Sequence, residues 1–345
     1  MPDIESVIAS RNDYFMTESD IMPGSRSARL GFLLIDDFAL MSYASVIEPF
    51  RAANMLSGTT LYSWRHFSVH GGPARASNGI EILVEGMLDR AEPLDLLFVC
   101  AGGNPAGFRD RATFALLRHA AARGVRIGGV SGGPWLLARA GLLQGFRCTI
   151  HWEHEPAFVE AFPELDVEPS LYVIDRDRLT CAGGTAGLDL AIELIGDAHG
   201  PALAAKVGEW YIRTQTREGG GAQRAPVARR YRIAHRGLAA ALAAMEANLA
   251  EPLPREALAA AAGVTVRQLE RLFAAHVGRT IGREYLGLRL DAAMRLLRET
   301  ELGRVEIAIA CGFADSSHFS RAFRARFGMT PSHARHGTMP ARRRA

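Results

Sequence analysis

The sequence predicts an α/β domain, a mostly parallel sheet flanked by helices, followed by an all-α domain carrying two helix-turn-helix motifs. Three observations predict it. From about residue 29 to residue 213, short apolar runs alternate with longer amphipathic ones, which is the rhythm of repeated strand and helix units. The stretch TQTREGGGAQRAPVARRYR then breaks every periodicity with three consecutive glycines, a proline and a charge run, as a linker does. Beyond it the chain is rich in Ala and Arg, and no strand candidate occurs up to the ARRRA end. A length of 345 residues with 48% hydrophobic and 22% charged residues fits two folded domains and excludes intrinsic disorder.

Taken in order, residues 1–27 read as a polar tail. Their opening, MPDIESVIASRNDYFMTESD, has neither the basic leader nor the apolar core of a signal peptide. No apolar stretch reaches the roughly 18 to 20 residues that cross a bilayer, so the expectation is a cytoplasmic protein without membrane association. Residues 28–213 form the expected α/β domain, with strands at 30–35, 62–69, 94–99, 126–130 and 179–182. Helices are expected at 42–56, 108–122, 134–140, 153–162 and 187–213. The strands are short and apolar on both faces, as in a sheet covered from both sides. Residues 214–231 are the expected linker, 232–336 the helical domain and 337–345 a basic tail.

Cys100, Cys148, Cys181 and Cys311 show no CxxC spacing, which points to buried thiols and away from a zinc site or a disulfide framework. No metal and no cofactor is expected. The net charge of +3 conceals a gradient. From residue 224 onward there are 21 arginines against 10 acidic residues, and before it 19 basic against 27 acidic residues. Such asymmetry suggests an anionic partner for the C-terminal part, with nucleic acid foremost. Lys206 is the sole lysine, so the arginine excess by itself reflects genome composition as easily as function.

Residues 255–276, REALAAAAGVTVRQLERLFAAH, give a short helix, a turn centred on Gly263 and an N-cap at Thr265. Leu269, Leu272 and Phe273 recur at helical spacing as a buried face, leaving Arg267, Gln268 and Arg271 exposed. Arginine suits guanine and glutamine suits adenine, each in a bidentate pair. The pattern recurs at 304–327, RVEIAIACGFADSSHFSRAFRARF, with Gly312 in the turn and Asp315 or Ser316 capping. Phe313, Phe319, Phe323 and Phe327 form its core side, while Ser316, Ser317, His318, Ser320, Arg321 and Arg324 face out. A long helix over 283–299 joins the units and spaces two reading heads, as adjacent major grooves about 34 Å apart require. An ordinary helical hairpin is the plain alternative for either unit alone.

Residues 232–336 resemble the DNA-binding domain of AraC/XylS-family transcription factors, most specifically in IAIACGFADSSHFSRAFRARFGMTPSHAR. By that resemblance 265–276 and 315–327 are the recognition helices, with double-stranded DNA and RNA polymerase as partners.

In the first domain VRIGGVSGGPWLLARAGLL, residues 125–143, reads as strand, glycine-rich turn and helix. A side chain at such an elbow stands above the sheet edge, among backbone N–H groups. Residues 29–213 resemble the PfpI/ThiJ superfamily, related to class I glutamine amidotransferases, whose elbow carries cysteine where this chain has Ser131. Serine needs a base within hydrogen-bond reach. His151 in TIHWEHE and Glu48 in VIEPF are the candidates, so an amidohydrolase or glutaminase-like enzyme using Ser131 and His151, brought to DNA by the helical domain, stays open as the alternative. The elbow serves equally well as a close-approach surface for a ligand.

The two domains in this order resemble GlxA-like transcriptional regulators, with 151–195 very like that branch. The resemblance implies a homodimer, formed through a non-catalytic α/β domain that binds a small amine-bearing metabolite such as glycine betaine or carnitine. The expected ligand residues are Glu48, Gly102, Gly103, Asn104, Ser131, Gly132, His151 and Trp152. A quaternary amine needs aromatic faces and a carboxylate: Trp152 is the face and Glu48 the charge, with the amides of AGGNPAGF (101–108) for a carboxylate at a strand C-terminus. Trp135 is read as core, and His66, His70, His119 and His199 as structural or solvated.

Overall fold

The computed structural model describes residues 26–213, 215, 217–300 and 302–336. Of the expected tails, at 1–27 and 337–345, residues 1–25 and 337–345 lie outside the described residues. The chain divides into two compact units that meet in sequence at Gln223 and Arg224.

The first unit is organised by seven strands: β1 (Ala28–Leu34), β2 (Tyr62–Ser68), β3 (Gly86–Met87), β4 (Leu96–Ala101), β5 (Arg126–Ser131), β6 (Tyr172–Asp175) and β7 (Arg178–Cys181). They lie in the order β6-β7-β5-β4-β1-β2-β3. Every pairing is parallel except that of β6 with β7. The chain leaves β1 toward β2 on one side and returns to β4 on the other, so the order reverses between β1 and β4. Ligands of open parallel sheets bind at the carboxyl edge of such a reversal.

The helices are α1 (Leu40–Ser57), α2 (Arg111–Ala122), α3 (Gly133–Arg139), α4 (Glu155–Ala161), α5 (Ala186–His199) and α6 (Pro201–Trp210). Strand alternation sends Leu30, Phe32 and Leu34 into one core with Val46 and Phe50 of α1 and Leu190 and Ile195 of α5. Val99 of β4 and Gly129 of β5 instead face α3. Both faces are therefore covered, which is why β4 is buried along its whole length.

The single helix expected over 187–213 is two, because the chain breaks at Gly200 and resumes at Pro201. Strands β3 and β6 have no counterpart among the expectations. Each is short, and β6 ends in the half-exposed pair Ile174 and Asp175, so neither gives an apolar run.

The stretch 214–231, expected as a bare spacer, differs most from its reading. Within the first unit Leu171 donates its N–H to the Gly219 carbonyl at 2.7 Å, and Ser170 bridges Ala222. Within the second unit Val227–Arg230 is already helix. Glycine-rich composition read as flexibility, whereas here it lets backbone lie close against Leu171 and Tyr172.

The second unit is helical: α7 (Val227–Arg230), α8 (Arg236–Ala247), α9 (Arg255–Ala262), α10 (Val266–His276), α11 (Ile281–Glu299), α12 (Arg304–Ala310), α13 (Ser316–Phe327) and α14 (Pro331–His336). Leu238, Leu242, Leu258, Leu269 and Phe273 form the core of its first half. Phe313, Phe319 and Phe323 stack in sequence through the second at 5.2 and 5.6 Å, with half-buried Phe327 at 4.6 Å from Phe323. The 19 residues of α11 give a rod about 28 Å long between the two helix pairs.

Candidate functional site

Each of the second unit's two helix pairs presents one exposed helix. In α10 a capping box fixes the start. Gln268 donates its backbone N–H to Thr265 Oγ1 at 3.3 Å, and Gln268 Oε1 accepts from the Thr265 N–H at 2.9 Å and hydroxyl at 3.0 Å. Gln268 was expected to read adenine with both ends of its amide. In the structure its carbonyl oxygen accepts the two cap bonds, and its NH₂ group has no partner among the described residues. In α13 the Asp315 carboxylate caps the helix, accepting from Ser317 N–H at 2.8 Å and His318 N–H at 3.0 Å. Those two bonds hold its carboxyl below the usual carboxylate range.

The arginines sort into two sets. Arg230 is paired with Glu246, Arg255 with Glu270, Arg279 with Glu284 and Arg326 with Asp291. Arg289 donates to the Cys311 and Gly312 carbonyls, bracing the second turn. Arg267 and Arg271 on α10, and Arg321 and Arg324 on α13, are exposed and form no hydrogen bond or ion pair among the described residues. Ser316, Ser317 and His318 are exposed beside them, Ser320 is half-buried, and the His318 ring leans on Phe313 at 5.7 Å. Free guanidiniums on capped helices suit phosphates and base edges.

In the first unit Ser131 ends β5 at φ +61°, the left-handed strain expected of an elbow. Its surroundings are tight on one side. Gly183, at φ +80°, lies so near that a Cβ there would fall 2.6 Å from Ser131 Cβ and 2.7 Å from Ser42 Oγ. Ser131 is buried, and its hydroxyl makes no hydrogen bond among the described residues. The N–H of Gly132, the natural oxyanion donor, is spent on the Ala101 carbonyl at 2.9 Å. His151 touches the elbow through backbone alone, donating its N–H to the Ser131 carbonyl at 3.3 Å, while its imidazole accepts from Glu153 N–H. Burial holds the His151 pKa below its ordinary value.

Glu48 is not part of this group. Its carboxylate pairs with Arg51 at 2.7 Å and accepts from the Tyr211 hydroxyl at 3.1 Å, which ties α1 to the end of α6. The constellation of Ser131, His151 and Glu48 that the alternative reading requires is thus not assembled. The four cysteines are buried and free. Burial pushes the thiols of Cys148 and Cys181 up to about 12 and that of Cys311 up to about 11.

A cavity of about 440 Å³ does lie at the strand-order reversal, beside the elbow's neighbours but not at Ser131 itself. Asp36 and Asp37 after β1, His70 after β2, and Gly102, Asn104 and Phe108 after β4 line it, together with Asp110. Of the expected ligand residues Gly102 and Asn104 face it, with Gly103 packed on Asp37. Asn104 caps the short turn Pro105–Gly107 through Gly107 N–H at 3.2 Å. Neither Trp152 nor Glu48 lines it. Asp37 has φ +65°, and its carboxylate has no partner among the described residues. The sequence signal for these residues was the DD pair at the end of β1, where the rule for parallel sheets already pointed. Trp135 packs inward against Phe158 and Phe162.

No helix among the described residues is long and apolar enough to cross a membrane. Residues 28–197 match the DJ-1/PfpI family and residues 258–337 a helix-turn-helix domain. The HTH-type transcriptional regulator CdhR of Pseudomonas aeruginosa is 44% identical over 304 residues, 88% of this chain and 90% of that one. The HTH-type transcriptional regulator GlxA of Rhizobium meliloti is 42% identical over 308 residues, 89% and 95% of the two chains. A crystal structure of an AraC family transcriptional regulator from Pseudomonas putida covers 53% of this chain and 99% of its own, at 29% identity and a TM-score of 0.49. Identity at this level, running through both units without a break in their order, places the chain in the GlxA-like family of HTH-type transcriptional regulators, in which a DJ-1/PfpI domain precedes an AraC-type helix-turn-helix domain.

Proposed function

We propose that this regulator binds a specific operator through α10 and α13 as a homodimer, activates transcription with RNA polymerase, and is switched by a small amine-bearing metabolite. The observation that carries the DNA half is the sorting of arginines. Arg267 and Arg271 on α10 and Arg321 and Arg324 on α13 are unpaired, whereas Arg326 on α13 and Arg255 on α9 are tied into ion pairs. The residues that read or anchor DNA are then Arg267, Arg271, Ser316, Ser317, His318, Ser320, Arg321 and Arg324, with Thr265 and Gln268 holding the start of α10.

The metabolite site is the cavity at the strand-order reversal. Its unpaired Asp37 carboxylate and the Phe108 ring suit a cationic head, and the backbone of 102–104 suits an acidic group. Glycine betaine and carnitine carry both features. The ligand acts by preferring one arrangement of the protein, since it can shift an equilibrium only by its differential affinity. The hydrolase alternative has no support in the elbow: no base reaches Ser131, and the oxyanion donor is occupied.

The test begins with an operator selected from random DNA by the full-length chain. Arg271→Ala and Arg321→Ala should each weaken binding to it; unchanged affinity in both would remove α10 and α13 as reading helices. Glycine betaine and carnitine should each raise the melting temperature by mass action, and Asp37→Asn should abolish the rise. Failure of every amine tested to stabilise the protein would overturn the amine reading.

A further inference from the structure

The segment 217–223 is fastened to the first unit at two points, and both fastenings reach the loops that close over Ser131. At the upstream point, Asp189 of α5 is fully buried. Its carboxylate takes the Arg217 guanidinium at 3.0 and 2.7 Å and an ion pair from Arg213. Arg217 also donates to Thr185 Oγ1 at 2.8 Å. Thr185 directly follows Gly183 and Gly184, the turn that covers Ser131 and is pinned by Gly184 N–H to Ser42 Oγ at 2.8 Å.

At the downstream point Gln223 uses both ends of its amide. Oε1 accepts from Trp152 N–H at 2.7 Å, and Nε2 donates to the Ile150 carbonyl at 2.9 Å, the Ser170 carbonyl at 2.8 Å and Thr149 Oγ1 at 3.1 Å. Between those anchors His151 N–H holds the Ser131 carbonyl. The far side of the elbow abuts the cavity wall, since a Cβ on Gly132 would lie 3.0 Å from Pro105. A contiguous set of contacts therefore runs from cavity to elbow to Gln223. Gln223 is the last residue of the first unit, and Arg224 begins the second.

A glutamine in a free linker keeps its rotamers and its water. One whose amide meets four polar partners in a single loop cluster has given up that freedom for a fixed geometry. We propose that 217–223 is a latch and Gln223 its positioning residue: movement of the loops 149–152 and 183–185 opens or closes the fastenings, and the chain carries the change into the DNA-binding unit. This rests on the reading of the chain as a regulator controlled from its first unit. The physical requirement is an element with two discrete arrangements whose balance both sites bias, and the fastened and released segment is that element.

The experiment uses the full-length chain, the selected operator and two substitutions. Gln223→Glu keeps the shape and the acceptor for Trp152 N–H but turns the donor into an oxygen facing three acceptors. Gln223→Ala removes both ends. Gln144→Ala, at an exposed glutamine bonded only to Glu164, is the control. The expected result is hydrogen exchange at least tenfold faster at Trp152 and Leu171 in both Gln223 variants, with operator affinity changed at least fivefold and the control unchanged. Faster exchange with operator affinity within twofold of the parent would reduce Gln223 to a structural tie and overturn the latch, as would unchanged exchange. If the full-length chain selects no operator from random DNA, the regulator reading itself has failed, a result separable from either outcome at Gln223.

Discussion

The elbow at Ser131 and the turn at Gly312 are both tight, glycine-lined reversals, yet one closes a site and the other opens one. At the elbow the strain falls on a serine at φ +61°, and the glycine opposite brings backbone down on its side chain. At the second helix-turn-helix the glycine takes the strain itself, at φ +73°, and its bareness lets the Leu249 and Ala250 carbonyls approach. The exposed helix beyond it is then free to carry unpaired arginines. At the elbow the backbone polar groups are spent on one another, whereas beyond the second turn the arginine charge is left free.

The largest effect that sharpens this comparison lies at Gly312. A Cβ there would fall 2.6 Å from the Leu249 oxygen and 2.7 Å from Pro252 Cδ, in a left-handed backbone. Gly312→Ala should cost about 3 kcal/mol, from left-handed strain plus overpacking. Gly263, at φ +67° with no atom within 4 Å, should cost only the strain, about 1 to 2 kcal/mol. Urea melts of the full chain measure both. Equal losses would mean that the second turn's close packing contributes nothing.

Arginine substitutions come next. Arg271→Ala and Arg321→Ala should each cost about 1 to 3 kcal/mol of operator binding if they touch bases, with the melting temperature unchanged. Arg326→Ala, which breaks the ion pair with Asp291, should leave operator affinity close to the parent's. Fluorescence anisotropy against the selected operator reads all three. A loss at Arg326 equal to that at Arg321 would erase the distinction between paired and free arginines.

What the sequence made legible follows from how each feature is encoded. The two exposed helices were readable because their caps, turns and apolar faces are local, as Thr265, Gly263, Leu269 and Phe273 show. The elbow was readable for the same reason, as a strand that ends in serine and is followed by two glycines. Partnership across the fold was not. Glu48 looked like the acid of a triad, but its helical phase turns it toward Tyr211, a residue 163 positions away. The exposure of Gln268 could be inferred from periodicity, whereas its cap bond three residues back could not. Asp189 and Gln223 gave no signal, because a buried acid in a helix and a glutamine after glycines acquire meaning only from their partners.

The two units should also part company with pH. Burial holds His66, His151 and His199 of the first unit below their ordinary value. A depressed imidazole favours the neutral folded form, so its contribution is present above the ordinary value of about 6.5 and lost as pH falls through it. In the second unit the Asp315 cap is a depressed carboxylate, whose contribution persists above about 3.9 and is lost only below it. Melts between pH 7.5 and 5 should therefore lower the first unit's transition and spare the second's. Parallel decline of both would show that burial of the three imidazoles is not what sets the first unit's acid sensitivity.

The smallest expected effect bears most directly on the elbow. Ser131→Ala removes a hydroxyl that makes no hydrogen bond among the described residues and keeps the left-handed backbone, so stability should move by no more than about 0.5 kcal/mol. Ser131→Gly relieves the strain and should stabilise the first unit by up to about 1 kcal/mol, the left-handed penalty less the glycine's added chain entropy. Both variants should keep operator binding and the thermal response to amines. A drop of orders of magnitude in any hydrolysis on Ser131→Ala would mean that His151 swings to the hydroxyl in a second conformation, and the elbow would then be a nucleophile's. If serine is there only because a small side chain fits beneath Gly183, glycine should outperform it in stability and match it in regulation. A stabilised Ser131→Gly that no longer answers to amines would instead show that the strain is part of the switch, held in the first unit until ligand releases it.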